Sequence, residues 1–275
     1  MPTSHWPEPP GEQPDLAVAL SGGGHRAAIF GLGVLLYLVD SGLNRRVRLI
    51  SSVSGGSITN GFVAQECDFR QVDREAFDRI AAALLQRIVR QGLFRWWVIW
   101  AYVAVVVGLV VLSATTAVLS WPVALPTWGA ALIGLAAAAV ALLRGWVLEL
   151  WLSRGFFSRS GRGTLLGEIT RGVEHVFCST DINSNAPFYF STWGGGYTYS
   201  PALGWARSGD TRLSTAVRAS AAFPGGFPPK RLWVDIAKYN HGTHEIVWQL
   251  ENVGRQVQDD LSGRLIPPYR PRVLF

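Results

Sequence analysis

A chain of 275 residues is long enough for one sizeable domain or two small ones. Hydrophobic residues make up 49% and charged residues only 16%, a balance shifted from average soluble composition toward membrane association. The 25 basic residues, all arginine except Lys230 and Lys238, outnumber 19 acidic ones and suit an anionic partner, while two cysteines, Cys67 and Cys178, exclude a disulfide framework and fit a reducing compartment.

Residues 1–14 are polar and proline-rich, without the apolar centre of a secretory signal, and read as a disordered leader. Leu16 to Leu20 is a short apolar run suited to a buried parallel strand. It ends in Ser21-Gly22-Gly23-Gly24-His25-Arg26, and a helical apolar pattern follows from Ala27 to Val39. A glycine cluster between strand and helix lets backbone N–H groups converge beside the helix N-terminus, where they hold a phosphate or a tetrahedral oxyanion. A dinucleotide fingerprint would need glycine at Ala27 and an acidic residue about 20 positions on, and both are missing. A P-loop is excluded by the absence of Gly-Lys-Ser/Thr. The remaining alternative is a turn that merely closes a βα unit.

Val47 to Val53 supplies a second strand, and Ser54 to Ala64 continues as a helix. Ser54 therefore sits on a strand-to-helix turn of the Gly-x-Ser-x-Gly kind, with Gly56 in place and Ser52 where the first glycine belongs. A serine on such a turn is pushed clear of its backbone and can act as a nucleophile. The plain alternative is a Ser/Gly-rich loop without chemistry. Two consecutive βα units would put both loops at the carboxyl edge of a parallel sheet, oxyanion donors beside a nucleophile.

Asp73 to Gln91 reads as an amphipathic surface helix with Phe77, Ile80, Ala81, Leu84, Leu85 and Ile88 inward. From Trp96 to Trp121 there is no charge. At about 1.5 Å per residue this run reaches about 39 Å, beyond a hydrocarbon core of roughly 30 Å. Pro122 and Pro126 break it, and a second apolar stretch, Thr127 to Leu143, extends through Gly145-Trp146-Val147-Leu148. Trp96, Trp97 and Trp100, then Trp121 and Trp128, then Trp146 and Trp151 stand where interfacial tryptophans belong. The pattern predicts a transmembrane helical hairpin over 93–152. Its turn is uncharged, and Arg87, Arg90, Arg95, Arg144, Arg154, Arg159 and Arg162 flank its outer ends, which puts both ends on the cytoplasmic side. A buried helical pair or a re-entrant hairpin is the competing reading.

Beyond it, Gly163 to Thr170 predicts a short helix, Glu174 to Thr180 and Phe188 to Thr192 strands, and Trp193 to Arg207 a loop. Asp210-Thr211-Arg212-Leu213-Ser214 offers an N-capped start to a helix through Ala222. His25 and His175 read as structural. His241 and His244 lack a third ligand, so no metal site is expected.

These residues resemble the patatin-like phospholipase family. The matching pieces are Ser21-Gly22-Gly23-Gly24-His25-Arg26, Ser52-Val53-Ser54-Gly55-Gly56, Thr180-Asp181-Ile182-Asn183 and Thr215-Ala216-Val217-Arg218-Ala219-Ser220-Ala221-Ala222-Phe223-Pro224, in the family's order. The resemblance implies a three-layer αβα domain with a largely parallel sheet, formed by 15–92 and 153–235 around the hairpin. It also implies a Ser-Asp dyad hydrolysing acyl esters of membrane lipids without a cofactor. Ser54 would be the nucleophile, Asp235 the base, Gly22, Gly23 and Gly24 the oxyanion hole, and Arg26 a brace for the loop or a contact for lipid phosphate. Two departures stand out. Ser52 replaces glycine, and Asp235 is followed by Ile236-Ala237, not by the family's Gly-Gly or Gly-Ala. The segment 236–275 does not look like family sequence. Two other readings follow: an α/β-hydrolase triad of Ser54, Asp235 and His241 or His244, and a membrane-anchored binding or scaffold protein with a lost dyad. Nucleic-acid binding fits poorly, because the arginines cluster beside the apolar segments.

Overall fold

Leu16–Leu20 forms β1 and Val47–Ser52 forms β2, paired in parallel with Leu20 level with Ser52. The computed structural model describes residues 15–91, 97–123, 133–136, 138, 140, 143–159, 161–169, 172–222, 228–232, 239 and 272–274. The expected leader, the turn of the hairpin, Asp235, His241, His244 and nearly all of 236–275 lie outside the described residues.

Helix α1, Gly24–Asp40, connects the two strands. It buries Ala28, Gly31, Leu32, Leu35, Leu38 and Val39, the three-and-four spacing of a helix laid on a sheet. Helix α2, Gly55–Glu66, is buried from Gly55 to Gln65, where α1, β2 and the rest of the core close around it. Helix α3, Arg74–Gln91, turns Phe77, Ala81, Leu84 and Ile88 inward and leaves Leu85 exposed.

Strand β5, Glu174–Asp181, lies parallel to β2. From there the sheet changes sense. Strands β6 (Ala186–Ser191), β7 (Tyr197–Ser200) and β8 (Gly204–Arg207) follow as antiparallel neighbours, so the sheet is mixed and not largely parallel as expected. The reason is connection length. Only Ile182 to Asn185 separate β5 from β6, whereas a parallel return needs about a dozen residues or more. The expected loop from Trp193 to Arg207 holds β7 and β8, with Tyr199 opposite Trp205 and Tyr189 stacked on Tyr199. Its glycine content hid the alternation.

The short helix expected at 163–170 is reduced to a single 3-10 turn at Leu166–Glu168, preceded by a short hairpin of β3 (Ser158–Arg159) with β4 (Arg162–Gly163). Strand β9, Lys230–Leu232, pairs with β10, Arg272–Leu274, which itself meets the end of β5 at Asp181. Both steps are antiparallel, so β9 runs in the same sense as β5 and β2.

Among the described residues no helix is long and apolar enough to cross a membrane. Helix α4 is Trp97–Val123. The fold therefore does not establish the expected hairpin. Its far boundary also moves. Helix α5, Arg144–Gly155, buries Val147, Leu148, Trp151 and Leu152, so the segment read as membrane-facing belongs to the globular core. Arg87, read as a flanking charge, instead donates to the Phe156 carbonyl at 3.0 Å and sits over the Phe62 ring. A cation at the end of α5 satisfies a carbonyl left open where that helix stops.

Candidate active site

The turn between β2 and α2 is strained at one residue. Ser54 has φ 52° and ψ −117°, a combination that costs a non-glycine residue about 1–3 kcal/mol and survives only where its surroundings over-determine it. They do so here. Val53 N–H bonds the Leu20 carbonyl at 3.1 Å, Gly56 N–H bonds Val53, and Ser57 N–H bonds Ser54. The elbow is also pressed against the glycine loop. A β-carbon at Gly55 would overlap the Gly24 carbonyl, and one at Gly56 would stand 2.7 Å from the Leu20 oxygen and 2.8 Å from that of Ser21. Glycine at 55 and 56 is thus a requirement of backbone contact.

Beneath the elbow lies a buried polar network that the sequence reading missed. Ser52, the departure from the family pattern, is 1% exposed. Its hydroxyl donates to the Val176 carbonyl at 3.1 Å and accepts from Ser57 Oγ at 3.0 Å and Asn60 Nδ2 at 2.8 Å. Serine is tolerated there because every lone pair and proton of its hydroxyl has a partner. Asn60 Oδ1 meets His175 Nδ1 at 2.7 Å, which gives His175 the structural place expected of it. Ser220, the last residue of α6 (Leu213–Ser220), reaches in from the far end of the chain. Its carbonyl and its hydroxyl both accept from Ser54 N–H at 3.1 Å. The one available signal was polar Ser57 and Asn60 spaced three apart in a helix with no exposed face.

The glycine loop stands next to the serine. A β-carbon at Gly22 would lie 3.3 Å from Ser54 Cβ, and Gly22, Gly23 and Gly24 are exposed. Gly23 and Gly24 take φ 139° and 61°, which turn the chain sharply into α1. Arg26 is exposed, and among the described residues it forms no ion pair with a carboxylate. Ser54 itself is half-buried, and no carboxylate among the described residues bonds its hydroxyl. Asp181 ends β5 on the same edge, but it is spent on its own turn, accepting from Asn183 N–H at 3.0 Å and Ser184 Oγ at 2.7 Å. Cys178 is no rival nucleophile, since burial pushes its thiol up and a hydrogen bond with the Ser52 backbone only partly opposes this. The described residues hold no cluster of metal ligands.

A second buried polar site anchors α6. Glu149 of α5 accepts from Arg218 at 2.7 Å, from Thr215 at 2.8 Å and from Lys230 of β9. The N-capped start expected at Asp210 to Ser214 is absent: α6 begins after Arg212 with no side-chain cap. Its hold on the domain comes from these ion pairs instead. Burial alone would raise the Glu149 carboxyl, but Lys230, then Thr215 and Arg218, outweigh it and keep the group below its ordinary value.

A family model for patatin, the patatin-like phospholipases, matches residues 18–240. The chain belongs to the patatin-like phospholipase family. The match takes in the glycine loop, the Ser54 elbow, α6 and Asp235. No curated protein matches the chain. Among solved structures it is similar to human GIVD cytosolic phospholipase A2 in complex with methyl gamma-linolenyl fluorophosphonate, at 15% identity and a TM-score of 0.43, over 95% of this chain and 34% of that one. It is also similar to the ExoU–SpcU complex of Pseudomonas aeruginosa, at 18% identity and a TM-score of 0.32, over 78% and 37%. VipD from Legionella pneumophila follows at 14% identity and a TM-score of 0.34, over 80% and 44%. This patatin-like chain spans about a third of the length of the human protein.

Proposed function

We propose that the chain is a membrane-anchored serine hydrolase of lipid acyl esters. The observation that carries this reading is the strained Ser54 turn packed against the Gly22–Gly24 loop at one edge of the sheet. Ser54 Oγ attacks the ester carbonyl as its proton passes to the Asp235 carboxylate. The oxyanion that forms accepts hydrogen bonds from the amides of Gly22, Gly23 and Gly24. The alcohol leaves with the proton, and water then hydrolyses the acyl-enzyme with Asp235 as base. No cofactor takes part. Asp235 follows β9 by three residues in the sequence, and β9 runs in the same sense as β2. Arg26, exposed at the start of α1, is available to a lipid phosphate.

The anchor would be the apolar pair of segments between 97 and 143. Its support is the outward array on α4, with Trp100, Val103, Val105, Val107, Val110 and Val111 all exposed, and the Tyr102 hydroxyl donating to the Val140 carbonyl at 3.0 Å. An uncharged turn and arginine-flanked ends put the catalytic domain on the cytoplasmic face. A lipid would then reach the site without crossing water.

The parent should label with a serine-directed fluorophosphonate and turn over a lipid ester in vesicles. Ser54→Ala should lose both, by a factor of about 10³ or more. Asp235→Asn should lose turnover, while replacing His241 and His244 together should not, which separates the dyad from a Ser-Asp-His triad. A parent that neither labels nor turns over ester instead supports the binding-protein reading.

A further inference from the structure

We propose that Ser220 is a positioning residue for the elbow, acting through the Ser54 amide and not on the substrate. The proposal rests on Ser54 being the nucleophile. The argument is directional. Ser54 N–H can only donate, so Ser220 Oγ accepts from it at 3.1 Å. The Ser220 hydroxyl proton then needs an acceptor, and Ser57 Oγ lies 2.8 Å away, while the Ser52 carbonyl is farther at 3.5 Å. Ser57 in turn donates to Ser52 Oγ, and Ser52 donates to the Val176 carbonyl of β5. One unbroken chain of donors therefore runs from the elbow amide to the strand beside it. Asn60 Nδ2 joins it as a donor to Ser52 and is itself fixed by His175.

Each hydroxyl in this chain gives one proton and accepts at least one, so no member can turn without leaving a buried group unsatisfied. Ser220 is the link that touches the strained residue. It comes 166 positions later in the sequence, on a helix held by its own ion pairs, and so it carries the rigidity of α6 into the elbow. Ser52 acquires a reason as well: a glycine there would leave the chain without its last donor.

The test compares the parent, Ser220→Ala, Ser220→Thr and Ser57→Ala for ester hydrolysis, for fluorophosphonate labelling rate and for thermal midpoint, with kcat expressed per labelled site. Ser220→Ala should lower kcat and the labelling rate together, by about 10- to 100-fold, with KM within about twofold. Ser220→Thr keeps the hydroxyl and should recover most of that loss. Ser57→Ala breaks the chain one link further from Ser54 and should cost less, about threefold. A lower midpoint with kcat per site and labelling rate at parent values overturns the proposal and leaves Ser54 as nucleophile. A parent that does not label overturns the nucleophile and this proposal together.

Discussion

The Ser54 elbow and the junction of α5, α6 and β9 both bury polar groups, and they satisfy them by different chemistry. At the elbow the groups are neutral: amide, hydroxyl and carboxamide, each with a geometrically fixed donor or acceptor. At the junction one carboxylate faces two cations, with Glu149 19% and Arg218 8% exposed in their side chains. Hydrogen bonds between neutral groups fix direction, which a nucleophile needs. Ion pairs give strength with looser direction, which suits the bracing of α6 against α5 and β9. They also tie that strength to protonation.

The comparison breaks most sharply at the backbone. Gly55→Ala drives a methyl group into the Gly24 carbonyl, and neither backbone can yield without opening the elbow. It should cost on the order of 3 kcal/mol or more in denaturant unfolding and abolish probe labelling. At the junction, Glu149→Gln leaves both Arg218 and Lys230 without the carboxylate they share. A loss of about 2–4 kcal/mol is expected by the same measurement, with less effect on labelling per folded site.

Protonation separates the two regions further. The Glu149 carboxyl is held below its ordinary value, so its contribution is complete above about 4.5 and is lost as the pH falls through the folded value. Glu174, at the opposite end of β5, has the reverse sign. Burial raises it while the Ser191 hydroxyl bonds it at 2.6 Å, so stability declines as pH rises from the ordinary carboxylate range through its raised value. Stability measured against pH should fall less steeply on the acid side in Glu149→Gln and decline less above the ordinary carboxylate range in Glu174→Gln. The neutral elbow should add no slope. Ser52→Gly, which restores the family's glycine, is the gentlest probe. It removes the hydroxyl's hydrogen bonds to Val176 and from Ser57 and Asn60, and should destabilise by about 1–2 kcal/mol.

Much of the fold could be read locally. The apolar run Leu16–Leu20, the spacing that buries Leu32 and Leu35, and the inward stripe of Phe77, Ala81, Leu84 and Ile88 each depend on neighbours a few positions apart. The glycine loop and the serine turn were legible for the same reason: a backbone at φ 61° at Gly24 and close backbone contact at Gly55 and Gly56 leave a mark in residue type at those positions. The sense of β6, β7 and β8 was less so, because it depends on the brevity of the connection after Asp181 while Gly and Tyr obscured the alternation.

What the residues alone determined was where a nucleophile could stand and which loop could face it, since both are properties of a few consecutive residues. What holds that serine, and what makes Ser52 acceptable, was decided only when β5, α2 and α6 met. Ser220 is 166 positions from Ser54 and Val176 is 124 from Ser52. A hydrogen bond depends on distance and direction in space, and no periodicity along the chain encodes either at that range.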